Sequence, residues 1–161
     1  MSKLKIDRTI PFDPTVTFLG DGWSTVMEDQ YSLKITEVDL NQVHFVVHNF
    51  TTDKASPKEG VNRIVALIKA QPFNLDARVL QVIDENISLI PERWKTIAPF
   101  PVMAYIPFCG SVFRDPDGIR YILCLEWFVI SSSLHSRVCA IPIDSITEIL
   151  LPWRLFLKIF S

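Results

Sequence analysis

The sequence predicts an α+β fold, an antiparallel sheet with a central β-hairpin and a helical hairpin packed on one face. Three observations predict it. The stretch 101–130 reads as two strands joined by Arg114-Asp115-Pro116-Asp117-Gly118. The stretch 56–86 carries helix-capping residues and apolar side chains at spacings of three and four, the period of an amphipathic helix. Residues 137–143 follow a serine-rich turn and supply a third strand of the same meander. With 161 residues the chain is long enough for one core and too short for two ordinary domains, so 1–161 is expected to be a single domain.

In chain order, residues 1–23 read as an irregular N-terminal arm. Pro11, Pro14, Gly20 and Gly22 break any period, and Phe12, Phe18 and Trp23 are its apolar anchors on the core. Tyr31 to Leu40 alternates, with Tyr31, Leu33, Ile35 and Val38 facing inward as in a half-buried strand. A helical turn within 36–42 is the alternative there. Val43 to Phe50 is a second β-rich run. Ser56-Pro57-Lys58-Glu59 is a helix start, with Ser as cap, Pro in the first turn and Glu three residues on. The helix runs to about 71, with Val61, Ile64, Val65 and Ile68 as its stripe, and Pro72 ends it. A second helix begins at Asn74 or Asp76, passes through Val79, Leu80 and Ile83, and ends near Asn86. Pro91 then opens one turn, Glu92 to Lys95, anchored by Trp94.

In the hairpin, Pro116 pre-sets φ, Asp117 tolerates unusual backbone angles and Gly118 supplies the positive φ that closes a short loop. Side chains alternate along a strand, so Tyr121, Leu123, Leu125 and Trp127 share an apolar face, and Arg120, Ile122, Cys124, Glu126 and Phe128 share a mixed one. A strand so patterned is central in its sheet. Pro107 and Gly110 predict a bulge or an edge on the preceding strand. Ser145-Ile146-Thr147-Glu148 is a second capping box, opening a short helix that Pro152 interrupts. The hydrophobic C-terminal segment, 144–161, ends in Trp153 to Phe160, six large apolar residues in eight. Leu150 to Phe160 is about half the length a bilayer requires, and the wider stretch from Ile141 contains Asp144, Glu148, Arg154 and Lys158, which argues against a transmembrane span. A closing strand or helix of the chain's own core is the simplest account of this tail, ahead of a subunit interface or a lipid contact.

Composition narrows the function. A net charge of −2, with 16 basic residues and no run among them, gives no electrostatic case for nucleic acid. Residues 1–10 lack the apolar core of a secretory signal, which predicts a cytoplasmic protein. Cys109, Cys124 and Cys139 are odd in number and lack Cys-x-x-Cys spacing, which argues against a disulfide framework and a zinc site and leaves them as small apolar residues on neighbouring strands.

A resemblance enters through the order of short motifs. Phe12-Asp13-Pro14, Phe18-Leu19-Gly20, Gly22-Trp23, Glu28-Asp29, Ser32-Leu33 and Glu37-Val38-Asp39-Leu40 stand in the first part of the chain. Leu75-Asp76-Ala77, Leu89-Ile90-Pro91-Glu92, Trp94-Lys95, Phe108, Gly110, Arg114-Asp115, Gly118, Arg120-Tyr121, Leu123, Leu125 and Trp127 follow. Over residues 12–127 this order resembles a family of small uncharacterised bacterial proteins. The resemblance implies a bacterial, cytoplasmic protein and brings no activity with it. The family's pattern after the position of Trp127 is polar and Trp-rich. Residues 128–161 here are aliphatic, and two origins fit them, a natural divergent ending or a shifted reading frame.

No group of residues forms a catalytic signature. His44 and His48 are four apart, which on a strand is about 13 Å, too far for one ion, and no metal site is expected. Ser131 to Ser133, His135 and Asp144 supply the residue types of a nucleophilic triad without a Gly-x-Ser-x-Gly elbow. Asp84, Glu85 and Glu92 are acidic, but Asp84 and Glu85 are adjacent on a helix and diverge by roughly 100°. The five glycines form no phosphate-cradling loop, and no cofactor is expected. Two functions remain. The first is a non-catalytic interaction or binding protein, a homo-oligomer or partner-binding module acting through the C-terminal segment, with Trp153, Phe156 and Phe160 as interface residues. The second is a small enzyme or ligand carrier with an aromatic-lined pocket, for which Tyr105, Arg120, Tyr121, Glu126 and Trp127 are the ligand-binding candidates. Core packing accounts for the same aromatic residues with less assumed.

Overall fold

The N-terminal arm is the first place where tertiary contacts reshape the expected pattern. In the computed structural model, which describes residues 3–47, 74–95, 104–130, 133–143 and 155–159, the arm is not wholly irregular. Strand β1 (Lys3–Lys5) and the helical turn α1 (Pro14–Thr17) punctuate it. Asp13 caps α1 by accepting the N–H of Thr15 at 2.9 Å, and Pro14 takes a first-turn position that needs no donor. Phe12 and Phe18 face each other with ring centroids 6.1 Å apart, and Phe12 reaches Phe113 at 5.6 Å. The arm thus lies against the core through Phe12, Phe18 and Trp23, as their apolar character requires.

Strand β2 (Ser24–Glu28) leads into a single 3-10 turn, Ser32–Lys34, where alternation had suggested a strand. Asp29 is the reason. Its Oδ1 accepts the N–H groups of Tyr31 at 2.8 Å and Ser32 at 3.3 Å, which winds the chain locally and leaves Tyr31 60% exposed instead of inward. Only β3 (Glu37–Asp39) is extended, and it pairs antiparallel with β1. Strand β4 (Val43–Val47) follows as expected over its described part.

Helix α2 (Ala77–Glu85) starts at the cap read from the sequence. Asp76 Oδ1 accepts the N–H of Val79 at 3.0 Å, and Ala77, Val79, Leu80 and Ile83 form the buried face. The helix expected over 57–71 lies outside the described residues, so α2 alone represents the helical layer on the sheet. A 3-10 turn, Ile87–Leu89, leads to α3 (Glu92–Lys95), whose Trp94 is fully buried.

The meander is built of β5 (Ala104–Arg114), β6 (Arg120–Ile130) and β7 (Ser133–Pro142), all antiparallel, with β2 on the far side of β5. The order β2-β5-β6-β7 makes β6 central, as its two-sided pattern predicts. Asp115 locks the hairpin loop: its Oδ1 accepts the N–H of Ile119 at 2.8 Å, its N–H donates to Ile119 O, and Gly118 adopts φ 87°. The pairing slips between Phe108 and Phe113, so β5 does carry the expected bulge. Gly110 lies inside it, donating to Leu75 O at 2.9 Å and accepting from the N–H of Asp29 at 2.7 Å. A Cβ there would stand 2.5 Å from Asn74 O, which no neighbour can relieve because the obstacle is backbone. Pro107 sits where β5 extends beyond the reach of β2, which pairs only with Ser111 to Arg114. Strand β8 (Leu155–Ile159) pairs antiparallel with β4, so the described part of the hydrophobic tail is a strand of a two-stranded sheet. The short helix expected after Ser145 lies outside the described residues.

The core is one cluster between the sheet and α2. Ile106, Phe108, Phe113, Leu123, Leu125 and Trp127 meet Val79, Leu80, Ile83, Trp94, Leu4, Val38 and Leu40. Each fully buried aliphatic or aromatic side chain contributes about 1.5–3 kcal/mol. At the edge of this cluster lies a buried polar joint. Arg8 Nη1 donates to Asp76 Oδ2 at 2.8 Å, Arg8 Nη2 to Ser32 O at 2.8 Å and Arg8 Nε to Ile35 O at 2.9 Å. The N–H of Asp76 donates to Ser32 Oγ, that of Ala77 to Ser111 Oγ, and Asn74 Nδ2 to Asp29 Oδ2.

Removing one partner from such a pair leaves an uncompensated buried charge. Asp76→Ala should lower unfolding stability by about 3–5 kcal/mol, more than loss of a helix cap alone, which costs roughly 0.5–2 kcal/mol. Urea denaturation midpoints of the two proteins measure the difference, and a loss confined to the capping range would show that the Arg8 contact adds nothing.

Candidate functional site

Alternation along β6 divides the candidate residues between two surfaces. Tyr121 and Trp127 lie on the face turned to the core, and Arg120 and Glu126 on the opposite face. Trp127 is 5% exposed and belongs to the core cluster, opposite Ala104 on β5 and Ser136 on β7. The Tyr121 ring packs against Trp23 with centroids 4.7 Å apart. Burial, followed by its hydrogen bond to the Asp115 carboxylate, pushes the Tyr121 hydroxyl above the usual phenol range.

On the other face, Arg120 and Glu126 are six residues apart, roughly 20 Å along a strand. They do not meet. Glu126 is completely buried, and its Oε2 accepts from Nε of Arg137, directly opposite on β7. Tyr105 on β5 stands opposite Glu126 in register, so Tyr105, Glu126 and Arg137 occupy one row across three strands. Glu126 Oε1 has no hydrogen-bond partner among the described residues. The Arg137 guanidinium is 62% exposed as a side chain and also lies 5.3 Å over the Phe128 ring, which stacks on His135 at 5.8 Å. One charge of the pair is sequestered while the other remains in contact with solvent.

The next row holds Cys124 and Cys139, again directly opposed. Opposed residues of a ladder carry their side chains on the same face, so the two thiols are neighbours. Burial is the largest influence on Cys124 and pushes its thiol well up. Cys139 moves the other way, lowered first by the hydrogen bond from Cys124, with Arg137 helping and burial and Glu126 opposing. Sequence reading placed the cysteines on neighbouring strands but did not derive the register that opposes two of them. The available signal was the short interval between Ile130 and Ser133, which sets the register that places residues 124 and 126 opposite 139 and 137.

The remaining candidates are dispersed. His44 stands opposite Lys158 in the β4–β8 pair, and His48 lies outside the described residues. His135 is stacked on Phe128, while Ser131, Ser132 and Asp144 lie outside the described residues. Asp84 has its carboxyl pushed up, first by burial and then by the charge of Glu85. Glu85 accepts from Gln81 Nε2 at 3.0 Å, and Glu92 pairs with Lys95 at 2.9 Å. Phe156 on β8 stands opposite Val46, and Trp153 and Phe160 lie outside the described residues. Among the described residues no group of three or more His, Cys, Asp or Glu is placed to hold a metal ion, and no helix is long and apolar enough to cross a membrane. Comparison of the chain with protein-family models, curated proteins and solved structures finds no match.

The asymmetry of the Glu126–Arg137 pair has a measurable consequence. Arg137→Ala strands a buried carboxylate and should cost about 3 kcal/mol or more of stability. Pairing it with Glu126→Gln, which removes the charge, should recover part of that loss in urea melts of the single and double variants. A double variant no more stable than Arg137→Ala would mean that the carboxylate's charge is not what Arg137 compensates.

Proposed function

We propose that this chain is a non-catalytic, cytoplasmic interaction protein that self-associates, with the β7 edge as the first contact surface and the C-terminal segment as the second. The observation that carries this reading is the outer edge of β7. Ten consecutive residues of β7 pair with β6 without a bulge, and no described strand covers the other side. The N–H of Ile143 donates to Arg120 O at 2.7 Å, which sets the phase of the ladder. Residues 134, 136, 138 and 140 consequently direct their N–H and C=O groups outward. Pro142 is next in that series and has no N–H to leave unpaired, the position in which an edge strand tolerates proline. A long regular edge is a template for another strand, and two copies can satisfy it reciprocally in one antiparallel, two-fold contact. Trp153, Phe156 and Phe160 supply apolar surface for the second contact, and the helix expected over 57–71 completes the helical layer beside α2.

Light scattering on the full chain tests this. A dimer is expected for the wild type. Ser136→Pro deletes an outward donor while sparing the β6 ladder, so it should yield a monomer of unchanged far-ultraviolet circular dichroism. A dimer that survives Ser136→Pro but is lost on deletion of 153–161 would move the interface to the tail. A monomeric wild type would remove the reading.

The rival reading, a small enzyme or ligand carrier with a pocket beside Tyr121 and Trp127, draws support from one atom. Trp127 Nε1 is a buried donor with no hydrogen-bond acceptor among the described residues, and a ligand carbonyl or hydroxyl would satisfy it. Native mass spectrometry of the purified protein decides it: a copurifying small molecule, lost from Trp127→Phe, supports a carrier, and a bare chain mass does not.

A further inference from the structure

We infer that Cys124 and Cys139 form a peroxide-sensitive dithiol that closes reversibly into a disulfide between β6 and β7. Three features carry it. The two residues are directly opposed in the ladder, and the phase set by Ile143 and Arg120 makes them a hydrogen-bonded pair with α-carbons about 5.5 Å apart. That separation lies within the range a disulfide spans. The two thiols also differ in access, Cys124 being buried and Cys139 half-buried. Lastly, Cys139 has the surroundings a reactive thiol needs. The Cys124 thiol lies across the ladder from it and the Arg137 guanidinium two residues away on the same face, and both lower its pKa. Glu126 opposes this from the neighbouring row, but Arg137 engages its carboxylate. Cys109, the third thiol near the pair, is buried.

The oxidant is hydrogen peroxide. The Cys139 thiolate attacks one peroxide oxygen, forming an S–O bond as the O–O bond breaks, and the hydroxide that leaves takes up a proton to become water. Cys124 then attacks the Cys139 sulfur of the sulfenic acid. The S–S bond forms, the S–O bond breaks, and the departing oxygen leaves as water with the proton from Cys124. Two thiols are oxidised by two electrons and one peroxide is reduced to two waters. Opposed β-carbons in a ladder stand farther apart than those of a relaxed disulfide by about an ångström. Closure therefore draws β7 toward β6 under strain, and strained bridges are the ones that dithiols reduce readily.

The test treats the reduced full chain with hydrogen peroxide and follows intact mass, then maps cysteines by differential alkylation. The wild type should lose two hydrogen atoms, with Cys124 and Cys139 linked and Cys109 still alkylated, and dithiothreitol should restore the starting mass. Cys124→Ser should stop at one added oxygen on Cys139, trapped by dimedone. Cys139→Ser should lose both reactions, and Cys109→Ser should behave as wild type. Oxidation centred on Cys109, a linkage between chains in place of the internal one, or three thiols still free after peroxide would each overturn the inference. So would a bridge that dithiothreitol leaves intact.

Discussion

The carboxylate of Asp76 is the constraint on which the rest of the described structure depends. It is 1% exposed and performs two tasks at once, capping α2 through Oδ1 and holding Arg8 through Oδ2. Its own N–H is taken by Ser32 Oγ, and its carbonyl accepts from the N–H of Leu80 at 3.2 Å. Through Arg8 and Ser32 the network reaches Ile35, and through Ser111 and Gly110 it reaches the bulge of β5. Apolar burial supplies most of the driving force but is non-directional, so it does not determine at what angle α2 crosses the sheet. Satisfied hydrogen bonds in a low-dielectric interior do, because every alternative docking leaves a charged or polar group unpaired.

That division of labour also explains what sequence could and could not reveal. The hairpin was legible because its information is local: Asp115 and Gly118 act on residues within four positions of themselves. The cap of α2 and the anchoring role of Trp94 were legible for the same reason. The joint was not. Arg8 and Asp76 are 68 positions apart, and an arginine in an arm punctuated by proline looks like any solvated side chain. The misplaced strand at 31–40 fails on a competing local rule. Its alternation is real, but Asp29 offers the backbone an Asx-type turn, and two hydrogen bonds to one carboxylate oxygen outweigh the gain from extending an exposed Tyr31. Gly110 was legible as a bulge residue, though not as the point where the chain before α2 presses on β5, since that contact exists only once both segments are placed.

Strand β6 shows how one element divides its work. Tyr121, Leu123, Leu125 and Trp127 are absorbed by the core and the arm. Tyr121 and Trp127 share the face expected of them, and packing against Trp23, Ile106 and Phe108 uses that face for cohesion, while Tyr105 falls in the row of Glu126 on the other side. The opposite face carries the ionisable groups, and its character depends on β7. Glu126 alone would be a costly buried charge, and Cys124 alone an inert buried thiol. Arg137 and Cys139, brought opposite by the register, convert them into an ion pair and a pair of neighbouring thiols.

The far face of β6 is buried as completely as the near one, since Ile122, Cys124 and Glu126 are at most 4% exposed. A core-facing residue is held by the apolar cluster, where contacts are many and non-directional, so the cost of changing it is spread over its neighbours. The polar partners on the far face are fixed by register instead. A slip of one residue between β6 and β7 would part Glu126 from Arg137 and Cys124 from Cys139 together, because side-chain direction alternates with every position. The ion pair and the paired thiols therefore stand or fall with the same ladder.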